Sequence, residues 1–153
     1  MQLQDKVALV TGGTRGSADV SPRPICARAG VAINGRSRDK GDQALAEFGA
    51  GDGAIFLADD VMSQAELNGV VDRTVRHFGR LDILVNNAGG SCDNANVANA
   101  SPESFENVLR WNVLSTFWAT KRGLHHVIPS NLAASSTCPP SRASTASRGP
   151  PPR

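Results

Sequence analysis

Short apolar runs alternate with helical patterns along most of the chain, and this alternation constrains the fold more than any other feature. Four runs stand out, at residues 6–10, 31–34, 54–58 and 83–85. The first is followed by Thr11 and two glycines, and the others are followed directly by glycine, aspartate or asparagine, residues that favour turns. Short uninterrupted apolar runs of this kind are typical of strands buried in a parallel sheet. We therefore predict four parallel strands.

The segments between the runs carry helix signals. Ser63 opens a capping box that closes with Glu66, apolar residues then recur at helical spacing, and Gly79 provides a stop. A second helix is expected to begin at Ser101, where a proline follows the N-cap hydroxyl, and to run to about Lys121. Strands that alternate with helices predict right-handed βαβ units. The predicted fold class is α/β, an incomplete doubly wound parallel sheet of the Rossmann-like type.

Two stretches depart from this pattern. Residues 17–29 stand where a helix should follow the first glycine turn, but Pro22 and Pro24 lie inside them. An interior proline costs a helix about 3 kcal/mol, so this segment is anomalous. Residues 130–153 are dominated by Ser, Pro, Ala and Arg, which predicts a disordered tail. We therefore expect a single domain over residues 1–129, followed by that tail.

Composition argues against several function classes. The net charge of +2 comes from scattered Lys and Arg without a basic stripe, so no nucleic-acid partner is expected. The N-terminal apolar run is too short for a signal peptide or a membrane span. Cys26, Cys92 and Cys138 form no C-x-x-C pair, and the adjacent His125 and His126 point to different sides of a helix, so no metal site is expected. These features favour a cytoplasmic protein without a membrane partner.

Two polar, glycine-containing loops are predicted to meet at one end of the sheet. TGGTRG at residues 11–16 follows the first strand, and NNAG at residues 86–89 closes the fourth. The carboxyl ends of these two strands flank the topological switch point of a doubly wound sheet, where ligands bind. Glycines there allow the positive φ angles and the close approach that a dinucleotide pyrophosphate needs. A glycine turn with no ligand is the alternative, because the first motif is weak by itself.

Four motifs occur in one order and at characteristic intervals: VTGGTRG at 10–16, DV at 60–61, LVNNAG at 84–89 and WNV at 111–113. Together they resemble the N-terminal half of a classical short-chain dehydrogenase/reductase, and the sequence as a whole is similar to bacterial 3-oxoacyl-acyl-carrier-protein reductases. The resemblance covers Leu3 to about Pro129, with a gap at residues 17–29. A different Rossmann-like protein, such as a methyltransferase, fits NNAG and the Trp111-Asn112 pair poorly.

The resemblance implies roles for individual residues. Gly12 and Gly16 would shape the pyrophosphate loop, and Asp60 would hydrogen-bond the adenine amino group. Asn112 would match the family's catalytic asparagine, which orders a proton-relay water. The residues that would line the ribose side of the cofactor are Asn87, Ala88 and Gly89.

The cofactor implied by the resemblance is NADP, with NAD less favoured. Arg15 and Arg36 are cations near the end of the second strand, where they can hold a 2′-phosphate. NAD-selective members of the family place an acidic residue there, and Asn34-Gly35-Arg36 contains no carboxylate.

Each of these assignments has a structural alternative. Asp60 would also suit the turn before the helix that begins at Ser63. Arg15 and Arg36 would also suit a solvated surface. Asn112 would also suit an ordinary polar position on a long helix.

The chain departs from the family at the catalytic acid. The family uses a tyrosine, whose pKa is lowered by a lysine one helical turn later, to protonate the substrate oxygen. This chain contains no tyrosine, and no lysine follows Lys121. A phenol with a reference pKa near 10 needs such a cation to work at neutral pH, and here both groups are missing. We therefore expect a truncated, inactive chain.

Two functions of different classes remain open. The resemblance implies NADP-dependent reduction of a small ketone or oxidation of a secondary alcohol. The alternative is a non-catalytic remnant that binds nucleotide weakly or forms a homo-oligomer through the helix at residues 101–121, a dimer surface in the family. The shared Ala, Arg, Pro and Ser composition of residues 17–29 and 130–153 suggests a coding sequence read out of frame in both places.

Overall fold

The computed structural model of this chain describes residues 3, 5–13, 29–48, 53–91, 98–127 and 134–137. Its strands are β1 Lys6–Thr11, β2 Ala29–Gly35, β3 Ala54–Ala58, β4 Ile83–Asn86 and β5 Ala134–Thr137. They form one sheet in the order β3-β2-β1-β4-β5, and every neighbouring pair is parallel. The chain therefore winds outward in both directions from β1. This confirms the predicted doubly wound sheet and its first four strands.

Four α-helices connect the strands in the described ranges: α1 Arg38–Phe48, α2 Gln64–Phe78, α3 Pro102–Leu109 and α4 Ser115–Val127. Side chains alternate between the two faces of the sheet, as strand geometry requires. One face packs on α2 and α4, and its buried residues include Leu9, Ala32, Leu67, Val70, Val71, Leu84, Ala119 and Val127. The other face packs on α1, with a core of Ala8, Val10, Val31, Ile33, Phe56, Val85 and the partly buried Leu45.

Helix α2 has the predicted ends. The Ser63 hydroxyl accepts a hydrogen bond from the Glu66 main-chain N–H at 3.4 Å. At the other end Gly79 adopts the left-handed conformation, with φ 79°, and its N–H donates to the carbonyl of Val75. The capping box differs in its second half, because the Glu66 carboxylate accepts from the main-chain N–H of Asp60 at 2.8 Å. The helix start is thereby tied to a candidate site residue.

The helix predicted from Ser101 is interrupted by a π-helical turn. Its N-cap is as expected, since the Ser101 hydroxyl accepts from the main-chain N–H of Ser104 at 3.1 Å. Helix α3 then passes into a segment that we call the π segment, Arg110–Leu114, in which the Ser115 N–H donates to the carbonyl of Arg110, five residues earlier. Helix α4 follows and reaches Val127.

Small side chains seat α4 on the sheet. The helix buries one residue in every four: Ser115, Ala119, Gly123 and Val127. A Cβ atom at Gly123 would lie 3.2 Å from Cδ2 of Leu84 on β4, so the absence of a side chain there allows close packing. Other large apolar residues are exposed, Phe105 and Leu109 on α3 and Phe117 and Leu124 on α4.

Strand β5 lies within the predicted tail. Residues 134–137 lie within the segment expected to be disordered, but they pair with β4 in parallel register, Ser136 opposite Val85 and Thr137 opposite Asn86. The pairing uses main-chain groups, which any sequence supplies, so side-chain composition did not reveal it. The rest of residues 130–153, and the anomalous segment up to residue 28, lie outside the described residues.

A buried carboxylate anchors the opposite, amino-terminal end of the sheet. Asp82, just before β4, is fully buried and accepts a hydrogen bond from the Val7 N–H at 2.9 Å. Arg80 donates to both of its oxygens, and the Lys6 ammonium lies 3.5 Å from Oδ1. Burial alone would raise the pKa of Asp82, but these hydrogen bonds and cations together hold it below its usual value. The carboxylate therefore stays charged and ties β1 to β4.

Candidate functional site

The Thr11 hydroxyl joins the two loops at the switch point. Thr11 ends β1 and is buried, and its Oγ1 accepts hydrogen bonds from the main-chain N–H groups of Asn87 and Ala88, both at 3.1 Å. The same hydroxyl lies 3.4 Å from the carbonyl of Val85, to which it donates. One side chain thus holds the start of the NNAG loop against the glycine turn.

Asn87 completes the connection from the other side. Its Nδ2 donates to the carbonyls of Thr11 and Gly12, at 3.1 and 3.2 Å. Gly12 has a φ of 69°, and a Cβ atom added to it would lie 2.7 Å from Cα of Ala88. Any other residue would therefore strain the turn and collide with the NNAG loop. The predicted meeting of the two loops is confirmed for Gly12, Asn87 and Ala88.

Asn112 reaches the same loop from the π segment. Its Oδ1 accepts from the Gly90 N–H at 3.0 Å, and its Nδ2 donates to the carbonyls of Gly90 and Val108 at 2.7 and 2.8 Å. A Cβ atom at Gly89 would lie 2.6 Å from that Oδ1, so only glycine leaves room for the amide. The Asn112 amide is thus bonded to the residue that follows the NNAG motif, whereas a polar side chain on an open surface would contact solvent.

Two hydroxyls support the π segment that presents Asn112. Thr116 Oγ1 donates to the carbonyl of Asn112 at 3.0 Å, and Ser115 Oγ donates to the carbonyl of Trp111. Ser and Thr hydroxyls commonly bond to the carbonyl four residues earlier, and such bonds tend to bend a helix. The sequence WNVLST therefore contains both the asparagine and the groups that shape its turn.

Asp60 and Arg36 lie at the ends of the neighbouring strands. Asp60 follows β3, and its Oδ1 accepts from the Met62 N–H at 3.0 Å, which is the contact that the turn interpretation predicts. Arg36 follows β2 and is exposed, and its Cζ lies 5.4 Å from the centre of the Trp111 ring. Arg36 is in no ion pair with the described residues. Arg15 and Gly16, also predicted for this site, lie outside the described residues.

Asn34 is a buried amide that the sequence analysis did not assign to the site. Its Nδ2 donates to the carbonyls of Leu57 and Asp59, while the main-chain carbonyl of Asn34 accepts from the N–H of Gly13 at 3.1 Å. Its Oδ1 is buried and has no hydrogen-bond partner within the described part of the chain. A buried acceptor without a donor beside the glycine turn fits a site that receives a polar group.

Other kinds of site find no support in the described ranges. No three His, Cys, Asp or Glu side chains there come together as metal ligands. Over the same residues, no helix is long and apolar enough to cross a membrane. Thr11, Trp111 and Asn34 were not predicted as site residues. Thr11 and Trp111 lie inside two of the four motifs, but their partners Asn87 and Arg36 lie about 75 residues away, beyond the reach of a local pattern.

A doubly wound parallel sheet with a glycine turn and an asparagine-rich loop joined at its switch point defines a Rossmann-type α/β protein. A family model described as short chain dehydrogenase matches residues 6–134. The chain belongs to the short-chain dehydrogenase family. The resemblance inferred from the four motifs is thereby confirmed.

Individual relatives agree with this assignment. The chain is 31% identical to the 3-oxoacyl-[acyl-carrier-protein] reductase of Escherichia coli, over 79% of this chain and 49% of that protein. It is similar to a crystal structure of 3-ketoacyl-(acyl-carrier-protein) reductase from Brucella melitensis complexed with NADH, with a TM-score of 0.74 and 30% identity over 82% of this chain and 51% of that one.

A second solved structure is a short chain dehydrogenase from Burkholderia cenocepacia in complex with NADP. Its TM-score is 0.76 and its identity 32%, over 83% of this chain and 53% of that one. The chain spans about half the length of the curated relatives it matches. The shared half is the one that contains the glycine turn, the NNAG loop and Asn112.

Proposed function

We propose that the chain binds a nicotinamide dinucleotide at the switch point, with NADP preferred over NAD. The observation that carries the proposal is the pair of loops joined by Thr11 and Asn87 at the carboxyl ends of β1 and β4. The left-handed Gly12 and the unpartnered Oδ1 of Asn34 support it, because both fit a polar ligand held close to the main chain. Solved relatives bound to NADH and to NADP support the class of ligand.

Each residue has a role in this proposal. Gly12, with Arg15 and Gly16, would hold the pyrophosphate, and Asp60 would accept a hydrogen bond from the adenine amino group. The NNAG loop, through Asn87, Ala88 and Gly89, would line the ribose side. Arg36 would receive the 2′-phosphate of NADP, because it is an exposed guanidinium at the end of β2 without an ion-pair partner in the described ranges.

The reaction that we propose for a complete protein of this family is reduction of a ketone or oxidation of a secondary alcohol. The bound dinucleotide would supply or accept the hydride. Asn112 would serve as the catalytic asparagine, and its side chain is the one that forms hydrogen bonds with Gly90. The 153-residue chain contains no tyrosine to act as general acid. Proton transfer of this kind contributes about 10²–10⁴-fold to a rate. We therefore propose that this chain binds cofactor without turnover, and that a small carbonyl or alcohol is the substrate only where the acid is supplied.

Equilibrium binding and a reductase assay test the proposal together. Protein would be purified under reducing conditions, in keeping with the cytoplasmic location that we propose for it. NADP⁺ and NAD⁺ would be titrated by calorimetry, and NADPH oxidation would be followed with a simple ketone. We expect binding of NADP⁺, weaker binding of NAD⁺, and no ketone-dependent oxidation. A chain that binds neither nucleotide would refute the cofactor site, and measurable turnover would refute the inactive state.

Self-association is a second candidate function, favoured by one exposed surface. An apolar stripe runs along α3, the π segment and α4; it consists of Phe105, Leu109, Val113, Leu114, Phe117 and Leu124, which are 38–59% exposed. The first turns of this helix carry the exposed acids Glu103 and Glu106, and its later part carries the exposed Lys121. A second copy packed antiparallel would bring the acids of one chain to the lysine of the other and cover the stripe. We propose that copies of the chain associate through this surface.

A further inference from the structure

A contact between Arg36 and Trp111 spans the candidate cofactor crevice. Arg36 follows β2, whereas Trp111 lies in the π segment that comes after β4. In the sheet β1 separates these two strands, so the contact joins the two sides of the switch point. The Cζ atom of Arg36 lies 5.4 Å from the centre of the Trp111 ring, within the range of a cation–π interaction.

The Trp111 ring is held in place by its own neighbours. A Cβ atom at Gly90 would lie 3.3 Å from Cη2 and 3.4 Å from Cζ3 of the ring, so the indole lies directly against this glycine. The Trp111 carbonyl accepts from the Ser115 hydroxyl, and the next residue, Asn112, is bound to both main-chain polar atoms of Gly90. The ring is therefore a fixed platform and not a free surface side chain.

The charge of Arg36 has no competing partner close by in the described part of the chain. Asp59 and Asp60 follow the adjoining strand β3, and the Asp59 N–H donates to the carbonyl of Gly35. The Asp59 carboxylate is engaged by Arg73, and Asp60 Oδ1 accepts from the Met62 N–H. The guanidinium lies over the ring at the crevice, so its remaining donors are available to an anion.

We propose that Trp111 is a positioning residue, which holds the Arg36 guanidinium over the crevice and thereby sets the preference for a 2′-phosphorylated dinucleotide. A guanidinium held over the face of a ring uses none of its N–H groups in that contact, so they remain for bidentate bonding to a phosphate. A flexible arginine would have to lose more rotamer freedom to make the same contact. The inference rests on the proposed dinucleotide site and adds the residue that positions Arg36 for the 2′-phosphate.

The affinities of NADP⁺ and NAD⁺ for four variants test the role of the ring. Trp111→Leu removes the platform, Trp111→Phe keeps a ring, and Arg36→Leu removes the cation. Trp118→Leu is the matched control, because Trp118 makes the same kind of contact with a different arginine, Arg110, at 5.8 Å. We expect Trp111→Leu to weaken NADP⁺ binding about three- to tenfold and NAD⁺ binding less than twofold. Trp111→Phe and Trp118→Leu should stay within about twofold of the unmodified chain for both nucleotides.

A double-mutant cycle separates positioning from packing. If Trp111 acts through Arg36, the double variant should lose no more NADP⁺ affinity than Arg36→Leu alone. Losses that simply multiply would overturn the inference. An equal loss of NADP⁺ and NAD⁺ affinity in Trp111→Leu would also overturn it while leaving the nucleotide site standing. Failure of the unmodified chain to bind either nucleotide would overturn both.

Fluorescence gives a second readout that needs no activity. The chain has two tryptophans and no tyrosine, so Trp118→Phe leaves Trp111 as the single strong emitter. In that background, Arg36→Leu should shift the Trp111 emission before any ligand is added. Adenosine 2′,5′-bisphosphate should change the emission at lower concentrations than 5′-AMP, which lacks the 2′-phosphate. An emission that responds to neither Arg36→Leu nor the bisphosphate would refute the platform.

Discussion

The side-chain amide of Asn112 forms hydrogen bonds with both main-chain polar atoms of Gly90, 22 residues earlier in the chain. This pairing attaches the π segment to the loop that follows β4, and it uses the donor and the acceptor of the amide at once. Gly89 makes it sterically feasible, because any side chain at that position would meet Asn112 Oδ1. The candidate catalytic asparagine is therefore also a structural connector.

We expect Asn112→Ala to lower the free energy of unfolding by about 1–3 kcal/mol, since partly buried polar groups of Gly90 and Val108 lose their partner. Chemical denaturation measures the change. Asn68→Ala, at a position within helix α2, is the control and should stay within about 0.5 kcal/mol of the unmodified chain. An Asn112→Ala chain as stable as the control would contradict the structural connection.

A glycine series tests the close approach of the two site loops. Gly12→Ala combines a positive φ with a collision at Ala88, so we expect the free energy of unfolding to fall by about 2 kcal/mol or more. We also expect this variant to lose nucleotide binding. Gly79→Ala has a positive φ but open space around the new Cβ, so about 1 kcal/mol is expected. Gly53→Ala has open space and no positive φ, and should change stability by less than about 0.5 kcal/mol. Thermal melts rank the three, and any other order would count against the loop geometry.

Asp82 should make stability depend on pH in the acid range. Its pKa is lowered in the folded chain, so its contribution is complete above the ordinary value of 3.8 and is lost as the pH falls through the lower, folded value. Asp82→Asn should cost about 1–3 kcal/mol at pH 7, because Arg80 and Lys6 lose their partner. The difference between the two chains should shrink below about pH 3.8.

Denaturation curves at pH 7, 5 and 3 measure this difference. The exposed Asp42 on α1 provides the control, and Asp42→Asn should change stability little at any of these values. A difference between Asp82→Asn and the unmodified chain that stayed constant from pH 7 to 3 would show that the Asp82 charge is not the cause.

The apolar stripe should govern self-association. Phe117 is 56% exposed, and Phe117→Glu places a charge in the middle of the proposed contact between two copies. Because burial of a phenylalanine side chain stabilises by about 1.5–3 kcal/mol, we expect the association constant to fall at least tenfold. Analytical ultracentrifugation measures it, with Ala46→Glu on the exposed side of α1 as the control. Equal association of both variants would exclude the stripe as the contact.

Much of the fold could be predicted because its determinants are local. The apolar runs, together with the glycine, asparagine or aspartate that comes after them, predicted β1 to β4. Ser63, Glu66 and Gly79 predicted both ends of α2. The π segment could not be predicted in this way, since the contacts that accompany it include a hydrogen bond from Asn112 to Gly90, 22 residues earlier in the chain. Hydrogen bonds between distant loops leave no periodic trace in the chain.

The candidate site divides along the same line. Gly12, Asn87 and Ala88 were expected together because the topology of a doubly wound sheet brings their strands together. The contact of Arg36 with Trp111 was not expected, because it joins side chains 75 positions apart and depends on how the π segment turns the ring. Strand β5 was missed for a third reason: backbone pairing at an open strand edge is nearly independent of residue type.

The π segment also changes the rotational register between α3 and α4, which otherwise follow each other as one continuous helix. A residue advances an α-helix by about 100°, so the wider turn lets α3 and α4 keep different registers. The first register points Asn112 at Gly90, and the second points Ser115, Ala119 and Gly123 at the sheet. Deletion of one residue within this turn would bring the two helices into a single register. Either the hydrogen bond of Asn112 with Gly90 or the packing of α4 on the sheet would then be lost. The length of this segment therefore couples the site to the core, beside the side-chain contacts that Asn112 makes.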